Sequence, residues 1–276
     1  MSYAELFRET VEWSVDELRG YFTQHHPEDY QLIDVRQLQE YGAEHLPGAL
    51  WIPADDLPRR LVELDAAKTT IVYCSHGSLS RAAAQVLVKA GIRDVHVLQG
   101  GLHAWLYGTA DGLPGQLTAP LAEAGSAQEQ ALLAWQVEET TRQFYEEMAD
   151  TIENPQVAAL FAELAAAESH HKATLQALWE ALAGRTAGET FSAVRSGNEV
   201  MEGGLHLSEA LAWAEFNPPS RILDFAMALE LNAYDHYLHL QRNSKDPDSQ
   251  RLFEIMASEE RHHLVKLGKS LETLQH

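Results

Sequence analysis

The sequence predicts two domains of different class. Residues 1–108 read as an α/β domain, a parallel sheet flanked by helices, and residues 128–276 as an all-α four-helix bundle, with a linker over 109–127. Three observations carry this reading. Short apolar runs of strand length alternate with helical stretches early in the chain. The segment 108–127, GTADGLPGQLTAPLAEAGSA, is rich in Gly, Pro, Ala and Thr and holds no amphipathic period. Beyond it, apolar residues recur at helical spacing in four long segments. A length of 276 residues suits two domains, each able to bury its own core.

The strands are expected at 31–36 (QLIDVR), 70–74 (TIVYC) and 94–98 (DVHVL), with helices at 4–22 and 81–90 (RAAAQVLVKA) between and before them. Strands separated by helices form parallel sheets, because the crossover helix returns each strand in the same direction. The bundle helices are expected at 128–152, 155–183, 221–243 and 247–275. Pro155 and Pro247 follow the polar turns ENP and KDP and suit the first turn of a helix, where no N–H is needed. The stretch 184–220 then becomes a crossover connection holding a shorter helical piece.

Composition excludes several classes of function. With 45% hydrophobic and 22% charged residues and no apolar run near the roughly 18 residues of a membrane helix, no membrane partner is expected. The first thirty residues hold seven acids and two arginines and lack a basic start with an apolar stretch, so a cytoplasmic location is expected. A net charge of −21 speaks against nucleic-acid binding, which needs clustered Lys and Arg. That charge is uneven: residues 1–110 carry 9 basic and 15 acidic side chains, residues 111–276 carry 11 and 26. Such acidity suits a solvated surface, and also a region that keeps carboxylates for cations. A single cysteine, Cys74, excludes an intrachain disulfide and any Cys-x-x-Cys metal site.

An internal repeat organises the second half. An offset of 92 residues superimposes Glu138 on Glu230, Tyr145 on Tyr237, Pro155 on Pro247, Phe161 on Phe253, Glu168 on Glu260, His170 on His262 and His171 on His263. Each repeat supplies Glu-x6-Tyr on one helix and Glu-x-x-His on the next, as ESHH (168–171) and ERHH (260–263). Three residues make about one turn, so Glu168 and His171 share a face, as do Glu260 and His263. Four carboxylates and two imidazoles at the centre of a bundle form a donor set for two iron or manganese ions; without cations, four buried carboxylates would be costly. Tyr145 and Tyr237 read either as core aromatics or as hydrogen-bond donors to metal-bound carboxylates. His170 and His262, about 100° around their helices, read as exposed.

These residues resemble the rubrerythrin and ferritin-like di-iron family over roughly 128–276. The resemblance implies Glu138 and Glu230 as ligands from the first and third helices, Glu168 and Glu260 as bridging carboxylates, and His171 and His263 as terminal imidazoles. It further implies two iron ions per chain, an external electron donor and a homodimer. Two departures stand out. Peroxide-reducing members commonly place a further carboxylate one turn after the third-helix ligand, where this chain has Ala233; many also carry a four-cysteine rubredoxin domain, which one cysteine cannot build.

Cys74 closes an apolar strand just before an Ala-rich helix. Free N–H groups and the helix dipole at such a turn lower a thiol's pKa and stabilise anions, which favours a thiolate nucleophile or a persulfide. The segments LIDVR (32–36), EYGAEHLPGALWIP (40–53), VYCSHGSLSRAAAQVLVKAG (72–91) and VLQGGLHAW (97–105) together resemble the single-domain rhodanese family. That resemblance implies Cys74 as the sulfur-carrying nucleophile and Ser75, His76, Gly77, Ser78 and Leu79 as the loop whose amides cradle the persulfide. Its partners would be a small sulfur donor such as thiosulfate and a thiophilic acceptor such as cyanide or a thiol. Ser80 stands where Cys-x5-Arg phosphatases need arginine, so phosphoryl chemistry is not expected. Many rhodaneses place arginine at the position of Leu79 to bind an anionic donor, a role left here to Arg81 or His76. Asp34 and Arg36 are expected in a polar network near the loop, and His45, Pro47, Gly48, Gly100 and Gly101 in turns.

The expected whole is therefore a rhodanese-like α/β domain followed by a ferritin-like bundle, combining sulfur transfer with a di-iron redox centre for peroxide or dioxygen. The alternative keeps sulfur transfer as the only catalysis and makes the bundle a metal-binding, sensing or dimerising module.

Overall fold

The structure, a computed structural model, describes residues 10–105, 108–110, 124, 126–183, 199–201 and 205–274. The chain divides into two compact units, Met1–Pro114 and Gly115–His276. Most of the linker expected over 109–127 lies outside the described residues. No described helix is long and apolar enough to cross a membrane.

The first unit holds a five-stranded sheet of β1 (Val11–Trp13), β2 (Tyr30–Asp34), β3 (Leu50–Trp51), β4 (Thr69–Tyr73) and β5 (Val95–Leu98). Their order across the sheet is β1-β5-β4-β2-β3, and all pairs are parallel. Successive side chains leave opposite faces. Ile33, Val72, Cys74 and Val97 join one core with Ala83, Ala84 and Leu87 of α4 (Ser78–Lys89), while Leu32, Ile71, Tyr73 and Leu98 join the other with Leu18 of α1 (Val15–Gln24) and Tyr41 of α2 (Leu38–Ala43). A short α3 (Leu57–Arg60) completes the unit.

The helix expected at 4–22 is corrected. Residues 4–9 lie outside the described residues, Val11–Trp13 is a strand paired with β5, and α1 starts only at Val15. Ser14 forces the boundary: its hydroxyl accepts from the Glu17 N–H and the Glu17 carboxylate accepts from the Ser14 N–H, a capping box. Neither β1 nor β3 is foreseen in the sequence, because two or three residues show no period and owe their strand geometry to their neighbours.

The second unit holds α5 (Ala127–Thr151), α6 (Pro155–Ala183), α7 (Leu207–Ala214), α8 (Pro219–Asn243) and α9 (Pro247–Leu274). Ser126 caps α5 by accepting from the Glu129 N–H, Asn154 Oδ1 accepts from Gln156 and Val157, and Asp246 Oδ2 accepts from Ser249. Asn154 and Asp246 are themselves 92 apart, so the repeat extends to the caps. Two apolar clusters fill the bundle, one around Phe144, Phe161, Leu164 and Ile222, the other around Trp135, Leu175, Leu238 and Phe253. Along α5 the order is Trp135, Glu138, Phe144; along α6 it reverses, Phe161, Glu168, Leu175; along α8 it is Ile222, Glu230, Leu238; along α9, Phe253, Glu260, Leu267. The polar residues therefore form one layer between two apolar clusters. α6 ends beside the second cluster and α8 begins beside the first, into which α7 packs Ala210 and Ala214.

Candidate metal centre and candidate thiol site

In the polar layer of the bundle, Glu138, Glu168, Glu230 and Glu260 are 0% exposed, and His171 and His263 are 2% and 1% exposed. His171 Nδ1 lies 3.0 Å from Glu168 Oε2 and 3.4 Å from Glu138 Oε2. His263 Nδ1 lies 2.8 Å from Glu230 Oε2, 3.4 Å from Glu168 Oε1 and 3.6 Å from Glu260 Oε2. The two rings stack at 4.7 Å between centroids. Three overlapping triads, Glu138–His171–Glu260, Glu230–Glu260–His263 and Glu168–His171–His263, each bring one donor atom per residue within 4.8 Å. His170 and His262 are exposed.

The tyrosines exchange repeats. Tyr145 Oη donates to Glu230 Oε1, and Tyr237 Oη donates to Glu138 Oε1 at 3.3 Å. Each phenol thus steadies the carboxylate of the other repeat. Burial by itself would raise the Glu230 carboxyl; the facing His263 and hydrogen bonds from His263, Glu260 and Tyr145 hold it well below the usual carboxylate range. Burial would likewise lower the His171 imidazole, but its hydrogen bond to Glu138 and the Glu138, Glu259 and Glu230 charges raise it. Beside the layer, burial would raise Glu139, whereas hydrogen bonds from Arg142, Lys172 and Gln143 bring it down to about 2.

The donor set fits a pair of metal ions. Hard carboxylate oxygens with imidazole nitrogens suit iron or manganese, and two divalent cations would cancel the charge of four buried carboxylates that two histidines only partly offset. Sequence reading missed Glu259, whose Oε2 lies 3.3 Å from the outer nitrogen, Nε2, of His171. The available signal was negative: Glu259 has no counterpart in the repeat.

In the first unit, Cys74 follows β4 and is 3% exposed. Its Sγ accepts from the N–H of Gly77 at 3.1 Å and of Ser80 at 3.4 Å, and lies 3.4 Å from Ser80 Oγ. Burial would raise this thiol, but hydrogen bonds from Ser80 side chain and backbone, His76 and Gly77 prevail and lower it. Replacing Ser80 by alanine is accordingly expected to move the ionisation of Cys74 upward. The rate of its alkylation by iodoacetamide, followed against pH by mass spectrometry, should fall several-fold near neutrality, with the unprotonated plateau reached at higher pH. An unchanged profile would remove Ser80 from the thiolate's support.

The loop is held from outside. Gly77 adopts φ +97° to let the chain turn into α4, and Gly101, at φ +64°, presses its backbone against the loop. Leu102 N–H donates to Cys74 O at 2.8 Å and His103 N–H to Ser75 O at 3.1 Å. His76, Ser78 and Leu79 are exposed, Gly77 is buried, and Ser75 Oγ donates to Glu40 Oε1 at 2.7 Å. The His76 ring stacks on His103 at 4.1 Å. Arg81, expected as a substitute cation for Leu79, is engaged by Glu12. Asp34 and Arg36 form a buried bidentate pair, with Nη2 to Oδ2 at 2.7 Å and Nε to Oδ1 at 3.0 Å. Gly48 and Gly100 occupy positive-φ turns.

Fold and sites together define a class: a parallel α/β domain with a cradled thiol, joined in one chain to a helical bundle with a carboxylate–imidazole core. The rubrerythrin family model matches residues 132–218 and 221–276, just over half of the sequence, and the chain belongs to the rubrerythrin family. Its N-terminal part, residues 15–107, matches the rhodanese-like domain. Among solved structures, a rhodanese-like domain protein from Staphylococcus aureus is similar at 29% identity, over 35% of this chain and 91% of that one, with a TM-score of 0.33. A rhodanese-related protein from Thermoplasma volcanium is similar at 26% identity, over 35% and 90%, with a TM-score of 0.31.

Proposed function

We propose that the protein is bifunctional, a sulfurtransferase with its nucleophile at Cys74 over residues 1–108 and a di-iron oxidoreductase acting on peroxide or dioxygen over 128–276. The observation that carries the reading is the convergence of Glu138, Glu168, His171, Glu230, Glu260 and His263 in one buried layer of the second unit, and in the first unit the amide cradle that Gly77 and Ser80 form around Sγ.

In sulfur transfer, the Cys74 thiolate attacks the outer sulfur of a donor such as thiosulfate. An Sγ–S bond forms, the donor's S–S bond breaks, and sulfite leaves with the bonding pair. The terminal sulfur of the persulfide is anionic, and the loop Ser75, His76, Gly77, Ser78 and Leu79 offers it backbone N–H groups. Cyanide or a thiol then attacks that sulfur, and the thiolate of Cys74 departs.

In the bundle, Glu138 and Glu230 would each hold one ion, Glu168 and Glu260 would bridge, and His171 and His263 would complete the coordination through Nδ1. Bound iron supplies one-electron chemistry toward peroxide or dioxygen, with electrons from an external donor. Tyr145 and Tyr237 orient the Glu230 and Glu138 carboxylates, while the apolar clusters above and below keep bulk water from the layer. The test has two arms. Thiosulfate-to-cyanide turnover is expected in the wild type and to fall by at least about 10³-fold in Cys74→Ser, whose hydroxyl is a far weaker nucleophile near neutral pH. Reductant-dependent peroxide or dioxygen consumption is expected to persist in that variant. Loss of both activities in Cys74→Ser, or turnover of neither substrate class in the wild type, would overturn the reading.

A further inference from the structure

The repeat is symmetric in its donors and asymmetric behind them. His171 and His263 both turn Nδ1 toward the carboxylates, so an imidazole that ligates there carries its proton on Nε2. His171 Nε2 faces Glu259 Oε2 at 3.3 Å. The same nitrogen of His263 is buried and has no hydrogen-bond partner among the described residues. The offset of 92 says why: Glu259 corresponds to Ala167, and both positions are half-buried at the same place on their helices. The second repeat supplies a carboxylate behind the first repeat's histidine, whereas the first repeat has only a methyl group at the equivalent position.

Resting on the di-metal reading above, we infer that Glu259 is a positioning residue that makes the two metal positions inequivalent, with the ion beside His171 bound first and more tightly. A carboxylate accepting the outer N–H of a ligating histidine fixes its tautomer and ring orientation and increases its basicity, and such outer partners are commonly worth 10–100-fold in metal affinity. His263 receives no such help, and its buried Nε2–H opposes the tautomer that ligation needs. The centre therefore fills in order, and at sub-stoichiometric metal it holds one ion rather than two half-occupied positions.

The experiment is an anaerobic titration of the metal-free full-length chain with Co(II), followed by calorimetry and by the visible absorption of the bound ion. Two events separated by at least about tenfold in Kd are expected. His171→Ala should remove the tight event, and His263→Ala the weak one. Glu259→Ala should loosen the tight event by about 10–100-fold and bring the two together. Glu259→Gln, which keeps an acceptor oxygen, should retain most of the separation, and Ala167→Glu should tighten the weak event. Unchanged events in Glu259→Ala with native circular dichroism, or a single event for two ions in the wild type, would overturn the inference. A wild type that binds no ion would instead remove the di-metal reading and this inference with it.

Discussion

Replacing Glu168 and Glu260 together by alanine is expected to take bound iron from about two ions per chain to almost none, read by inductively coupled plasma mass spectrometry after anaerobic reconstitution. Both side chains reach both histidines, Glu168 at 3.0 Å from His171 and 3.4 Å from His263 and Glu260 in a triad with each, so their loss opens both positions at once. A second readout separates a metal site from a structural polar core. In the metal-free state, Glu168→Gln/Glu260→Gln should melt above the wild type by about 4–8 °C, since two fully buried carboxylates among four cost more than neutral amides. Added iron at a hundredfold excess over Kd should then stabilise the wild type by about 2.7 kcal/mol, seen as a higher melting temperature, and leave the variant unmoved. A metal-free double variant that melts lower would mark the layer as a structural network.

Gly101→Ala is expected to abolish sulfur transfer while leaving metal binding unchanged. A Cβ at this position would stand 2.2 Å from Cys74 O and 2.7 Å from His76 N, both backbone atoms that cannot swing aside. The backbone at φ +64° adds strain for any side chain. Relief requires moving the loop, which breaks the Leu102 and His103 bonds and pulls the amides of Gly77 and Ser80 away from Sγ. Thiosulfate-to-cyanide turnover should fall by at least about 100-fold, with stability of the first unit lowered by about 2–4 kcal/mol. Differential scanning calorimetry with the cyanide assay checks both. Near-wild-type turnover would show that the loop does not need its present position.

Much of this was legible in the sequence because it depends on spacing. Glu168 and His171 share a face by helical geometry, and the shift by 92 residues duplicates that face; α5 and α8 end, and α6 and α9 begin, where Pro155, Pro247 and their polar turns say they should. β2, β4 and β5 stand out as apolar runs because a parallel sheet is covered on both faces. β1 and β3 were invisible, since Val11–Trp13 and Leu50–Trp51 acquire strand geometry only by pairing with β5 and β2. Arg81 could be named as a cation near the loop, but not as one held by Glu12, which lies 69 residues away.

The sequence by itself determined the kinds of residue, their faces and their duplication: one thiol at a strand end, six metal-type donors, two tyrosines in matching places. The tertiary structure decided who meets whom. Tyr145 serves Glu230 and Tyr237 serves Glu138 because the two repeats pack against each other, and a hydrogen bond across repeats has no signature in the spacing within either. Glu259 reads as one more exposed acid until α9 is packed against α6 and its carboxylate comes up behind His171. Periodicity fixes a direction around one helix axis, whereas a contact is a distance between two axes, and only the folded packing sets that distance.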